Sequence, residues 1–225
     1  MSELNFIVLT GRFAAGKDTQ ASLLVQKIGS TSEIISTGDI YRSAKAQEGE
    51  YARYHHHLAP FIEDVDIRGK LLPDSVITQI VQEVITEKIR VGKEIFLFTG
   101  FPRTVWQLRY FDGMVSNFRI SNCLNKEFKV RGLFIEYKIG DEITLERSRK
   151  RRDEYEKRGE IPRPWDSDEG VTKRISTYYR DIEPMIEKLR GEGRLITIDG
   201  TGSIESIHEL TIRFIETPRF SKERE

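Results

Sequence analysis

Apolar runs of five or six residues alternate along the chain with stretches in which apolar residues recur every three or four positions. Leu4–Leu9 (LNFIVL), Glu94–Phe98 (EIFLF), Gly132–Tyr137 (GLFIEY) and Arg194–Ile198 (RLITI) have the length and continuity of buried strands, and Ile34 with Ile35 marks a shorter one. After the first run, Ala21, Leu23, Leu24, Val25 and Ile28 predict a helix. Behind Pro73-Asp74, the spacing of Val76, Ile77, Ile80, Val81, Val84 and Ile85 predicts an amphipathic helix to about Val91. Residues 140–159 form a highly charged helix candidate, and the Pro, Trp and Asp of IPRPWDSDEG break it before a further helix over 171–189. Strands alternating with helices imply an α/β fold, with about five parallel strands covered by helices.

Composition narrows the classes of function. The 225 residues carry 36 Lys+Arg against 36 Asp+Glu, and this zero net charge supplies no global field for gathering a polyanion. The charge is unevenly spread, because Arg147 to Arg163 holds eight basic and four acidic residues. One cysteine, Cys123, offers neither an intrachain disulfide nor a zinc cluster. With no long apolar run or leader-like start, the expectation is a cytoplasmic chain that engages neither membrane nor nucleic acid and is most simply a monomer. The last residues, TPRFSKERE, read as a solvated tail.

Gly11-x-x-x-x-Gly16-Lys17 follows the first strand and opens the first helix. The bare pattern arises by chance in roughly one chain of this length in fifteen, so the strand-loop-helix context carries the weight. Small residues let backbone N–H groups converge on phosphate oxygens, the helix N-terminus adds positive potential, and Lys17 reaches the terminal phosphates of a nucleoside triphosphate. Ala14 and Ala15 stand where such loops often carry glycine, and Asp18 where Ser or Thr often meets magnesium.

Three more segments follow in order: STGDIYR (36–42), GKLLPD (69–74) and GFPRTVWQ (100–107). Together with GRFAAGKDTQ they resemble the adenylate kinase family, with its GxPGxGKGTQ, STGDxxR, Gly-Lys-Leu-Val-x-Asp and DGFPRTxxQ motifs. The likeness runs from about residue 5 to 215 and is interrupted by longer stretches near 43–66 and 108–130.

The resemblance implies a P-loop three-layer sandwich with a core of 1–37, 74–149 and 167–216. It also implies an NMP-binding insert over 38–73, a lid over 150–166, and a tail at 217–225. ATP would lie against Gly11, Ala14, Ala15, Gly16, Lys17, Asp18, Thr19, Arg147 and Gly202. AMP would lie against Thr37, Gly38, Arg42, Lys70, Leu71, Leu72, Gly100, Phe101, Arg103, Gln107, Arg163 and Arg174. Lys17, Arg103, Arg151, Arg163 and Arg174 would be catalytic, since phosphoryl transfer asks chiefly for alignment and for offset of charge, and arginine's fork suits phosphate. The implied reaction moves the γ-phosphoryl of ATP to AMP, giving two ADP, with magnesium.

Some features depart from the family. Thr99 stands where the family has the Asp of DGFPRT, and Asp18 is a candidate replacement for that carboxylate, with Asp39 nearby; the alternative is that Asp18 only favours the helix N-terminus. The lid resembles the short form and lacks a cysteine pair, so it is expected to close without zinc. His55-His56-His57 reads as a set of exposed structural histidines, and Trp106 and Trp165 as hinge or lid packing, with stacking on a base the alternative. The alternatives are a kinase for another monophosphate, such as UMP or CMP, against which Thr37 and Gln107 argue, and a nucleotide-binding sensor without transfer.

Overall fold

A computed structural model describes residues 2–116 and 128–216, so Cys123 and the tail at 217–225 lie outside the described residues. Five strands form one sheet in the order β2-β3-β1-β4-β5, every pairing parallel. They are β1 (Ser2–Gly11), β2 (Ser32–Ser36), β3 (Ile95–Thr99), β4 (Phe128–Lys138) and β5 (Leu195–Asp199). The strand β4 starts four residues before its apolar run because it pairs with β1 along nearly its whole length, from Ser2 opposite Phe128 to Gly11 opposite Tyr137.

Alternation along the strands divides the core between two faces. Leu4, Phe6, Val8, Phe96, Phe98 and Phe134 enter one buried cluster, together with residues of α5 (Asp74–Arg90), α6 (Val105–Ser116) and α9 (Glu183–Gly191). Ile7, Leu9, Leu97, Leu133 and Ile135 enter the other, with residues of α1 (Lys17–Ile28) and α10 (Ile204–Glu216). Helix, sheet and helix make three layers. Within the first cluster, Phe6 meets Phe96 and Phe98 edge to face at 5.5 and 5.4 Å, a favoured aromatic geometry.

The stretch after β2 folds into helices. α2 (Thr37–Ala46) is capped by Ser36, whose hydroxyl accepts from the Asp39 N–H at 3.1 Å. Short turns lead through α3 (His55–Leu58) to α4 (Ile62–Asp66), and Tyr54, Leu58 and Val65 bury themselves in the first cluster. His56 and His57 are exposed, and no group of three or more His, Cys, Asp or Glu side chains that could hold a metal ion occurs among the described residues.

The charged helix α7 spans Asp141–Lys157, and the next begins at Asp168, three residues before the expected Val171, because the Ser167 hydroxyl caps it by accepting from Gly170 N–H. This α8 (Asp168–Thr177) passes through a π turn at Tyr178–Ile182 before α9. Pro184, which has no N–H for the helical ladder, follows that turn. No helix of the described residues is long and apolar enough to cross a membrane.

Candidate active site

The carboxyl ends of β1, β2 and β3 open into one cavity of about 340 Å³. The phosphate loop lies at its floor. Gly16 precedes α1 with φ +85° and no side chain caps the helix start, and the Lys17 ammonium folds back to donate to Gly11 O at 3.1 Å and to Arg12 O.

Eight basic side chains line this cavity: Lys17, Arg42, Lys70, Arg103, Arg147, Arg151, Arg163 and Arg174. Among the described residues, Asp18 brings the one carboxylate of the lining. Gly11, Ala14, Ala15, Gly16, Thr19, Thr37, Gly38, Leu71, Leu72, Gly100 and Gln107 also line it. Burial pulls the Lys17 pKa down from 10.5 to about 8, with Arg103 and Arg151 adding to the fall and Asp18 opposing it. Burial also lowers Arg103, again against Asp18, and brings Arg174 to about 10, with Arg103 the next cause. A cluster of cations held this close awaits anionic ligands.

Three residues expected at the site lie off the lining. The Phe101 ring is fully buried against Phe98 and Phe111, both at 6.4 Å between centroids, so it belongs to the aromatic core beneath the loop. Gly202 sits in the turn before α10, and it is the carbonyl of Gly200 that receives Arg147, at 2.8 Å. Asp39 is paired with Arg42.

One side of the cavity is held by a hydrogen-bond chain. Gln107 is buried; its Oε1 accepts from Arg103 N–H at 2.7 Å and its Nε2 donates to Asp74 Oδ1 at 2.7 Å. Thr104 donates to the same carboxylate at 3.1 Å. One amide proton and one oxygen lone pair of Gln107 therefore stay available to a ligand edge that both accepts and donates. Thr37 donates to the Gly100 carbonyl at 2.9 Å, and at Gly100, with φ +83°, a Cβ would stand 2.4 Å from the Thr37 hydroxyl.

The arginine run of α7 separates by partner. Arg149 reaches Asp168 at 2.8 Å and Arg152 reaches it at 3.3 Å, both away from the cavity, whereas Arg151 lines it and pairs with the fully buried Asp166 at 2.5 Å. Arg163 donates to the Tyr155 hydroxyl at 3.1 Å. Trp165 is buried, with its ring 4.7 Å beneath the Arg174 guanidinium, while Trp106 is exposed and stacks on Tyr110.

Phe13 and Trp165 also line the cavity, and Asp74 and Asp166 hold Gln107 and Arg151 at its edge; none of the four is among the residues expected to meet a ligand, although Phe13 and Asp74 lie inside the motifs GRFAAGKDTQ and GKLLPD. For Asp74 the signal is its fixed place at the start of an amphipathic helix; for Phe13 and Asp166 no spacing rule points to the arginines they hold.

The sequence model of the family described as Adenylate kinase matches residues 9–194. The chain belongs to the adenylate kinase family. An adenylate kinase of Hyphomonas neptunium is 32% identical over 201 residues, which are 89% of this chain and 93% of that one. Adenylate kinases of Maricaulis maris and Caulobacter vibrioides are 31% and 30% identical, again over 89% of this chain and 93% and 92% of theirs. The adenylate kinase match covers all three β-strand ends that frame the cavity and the whole arginine run.

Proposed function

We propose that this chain transfers the γ-phosphoryl group of ATP to AMP, releasing two ADP, as a cytoplasmic monomer that engages neither nucleic acid nor membrane. The observation that carries this reading is the single cavity in which the phosphate loop and the Thr37–Gln107 pocket share eight cations. ATP would rest its phosphates on the loop from Gly11 to Thr19, with Lys17 on the terminal ones and Arg147 at the donor base. AMP would enter over Gly38, Lys70, Leu71, Leu72 and Gly100, with its phosphate on Arg42 and Arg103. Arg151, Arg163 and Arg174 would gather on the transferring group, where positioned cations act on charge as it redistributes.

Magnesium fits the oxygen donors on the lining. The Thr99 hydroxyl is buried without a partner among the described residues, and Asp18 offers the one carboxylate there. This set is too small for a protein cage but suits an ion that keeps its waters and binds mainly through phosphates. Asp18 and Thr99 would hold that hydrated ion, which when bound neutralises charge on the donor phosphates.

Acceptor choice rests on Gln107, whose amide is fixed in one orientation by Arg103 and Asp74. A site built to pair one base edge rejects others strongly, so AMP should exceed UMP, CMP and GMP in kcat/KM by about 100-fold. Comparable turnover of UMP or CMP would replace this reading with a kinase for that acceptor. Tight binding of ATP and AMP with no ADP formed in excess magnesium would replace it with a sensor.

A further inference from the structure

Cations that converge on one cavity repel each other, so something must hold them in place. Carboxylates do part of this: Arg190 rests on Glu136 at 2.8 Å and Arg194 on Asp112 at 2.5 Å, and at the cavity Asp166 holds Arg151 and Asp39 holds Arg42. Beside a transferring phosphoryl group, each added carboxylate would also repel the substrate. An aromatic face attracts a guanidinium without adding charge.

Phe13, two residues into the phosphate loop, has the Arg151 guanidinium carbon 4.6 Å and that of Arg174 5.5 Å from its ring centroid. Trp165 lies 4.7 Å from Arg174. The Arg174 Nε is buried and has no partner among the described residues, so its N–H is left for a ligand while rings locate the group. Arg151 is steadied from one side by Asp166 and by the Phe13 ring as well. Phe13 lines the cavity and packs against the first hydrophobic cluster, which anchors the ring itself.

We propose that Phe13 is a positioning residue for phosphoryl transfer: its ring orients Arg151 and Arg174 toward the transferring phosphate and ties their placement to the loop that holds the donor. The proposal rests on the phosphotransfer reading. Leucine at this position keeps the apolar packing and removes the π face; tyrosine keeps the face.

The test compares the full-length wild type with Phe13→Leu and Phe13→Tyr. Because Phe13→Leu removes the π face that both guanidinium groups share, it should lower kcat about 10- to 30-fold, with KM for AMP changed less than about 3-fold and Tm unchanged. Phe13→Tyr should stay within about 3-fold of wild type throughout. Calorimetry with inorganic tripolyphosphate, which needs no turnover, should show about 5-fold weaker binding for Phe13→Leu and wild-type binding for Phe13→Tyr. Equal kcat in wild type and Phe13→Leu, a tyrosine variant as impaired as the leucine one, or a loss that tracks Tm overturns the role of Phe13. A wild type that makes no ADP yet shows the tripolyphosphate difference overturns the phosphotransfer reading and leaves the role of the ring standing.

Discussion

Lys17→Met should abolish turnover, lowering kcat by about 1,000-fold or more, while leaving the nucleotide-free fold at least as stable as wild type. Both halves follow from the same surroundings. The ammonium is the cation placed within the phosphate loop, donating to the Gly11 and Arg12 carbonyls from the loop's own backbone. Without a nucleotide it is a desolvated charge beside Arg103 and Arg151, which is why its pKa falls from 10.5 to about 8. Methionine fills similar space without charge, and relief from desolvation offsets the loss of the two hydrogen bonds.

The stability difference has a direction in pH. Between pH 8 and 10.5 the unfolded chain still holds the Lys17 proton that the folded chain has released, so wild-type stability gains with rising pH across that window. By pH 9.5 the gain from this group is on the order of 2 kcal/mol, and it should be missing from Lys17→Met in urea unfolding curves. Parallel curves for the two proteins over pH 7.5 to 9.5, on a scale of about 0.5 kcal/mol, would show that Lys17 is not desolvated as described.

Gly11→Ala should damage the fold severely. Gly11 ends the central strand with φ +128°, and a Cβ there would stand 2.5 Å from the Tyr137 carbonyl oxygen of the neighbouring strand. That oxygen is backbone in a paired strand and cannot swing aside, so strain adds to steric overlap and the loss should reach about 3 to 5 kcal/mol. Gly92→Ala is the control. It has φ +87° and open space around the new methyl group, so it should lose only about 1 kcal/mol. Urea midpoints measure both, and equal losses would mean that the approach of β1 to β4 at Gly11 is not as tight as the geometry states.

Much of this architecture is legible in the sequence because buried parallel strands are continuous apolar runs. Phe96 to Phe98 and Phe134 to Ile135 need no partner to be recognised. α6 and α10 are harder to read, although α10 has its apolar residues on one side, since Trp106, Gln107 and Arg109 interrupt the first and Ile204 to Glu216 follows a loop that stands out for its motif. The phosphate loop can be named from its spacing between a strand and a helix, and the arginines through the resemblance of the chain to the adenylate kinase family. Which arginine of the run at 149–152 turns inward cannot, because neighbouring cations are alike in sequence and only Asp166 and Asp168, brought back by the chain reversal after α7, sort them.

Phe101 shows the opposite limit: a residue inside the GFPRT motif whose side chain serves the aromatic core. Gln107 shows how function adds to a local pattern, since its orientation depends on Asp74, thirty-three positions away.

The most direct measurement follows the phosphoryl group itself. ATP labelled in its γ-phosphate is mixed with AMP, magnesium and the enzyme, and products are separated before equilibrium. The account predicts that label leaves ATP and appears in ADP formed from AMP, one label per AMP consumed and two ADP per transfer. Label recovered as inorganic phosphate, or retained in ATP while both nucleotides are bound, would contradict it.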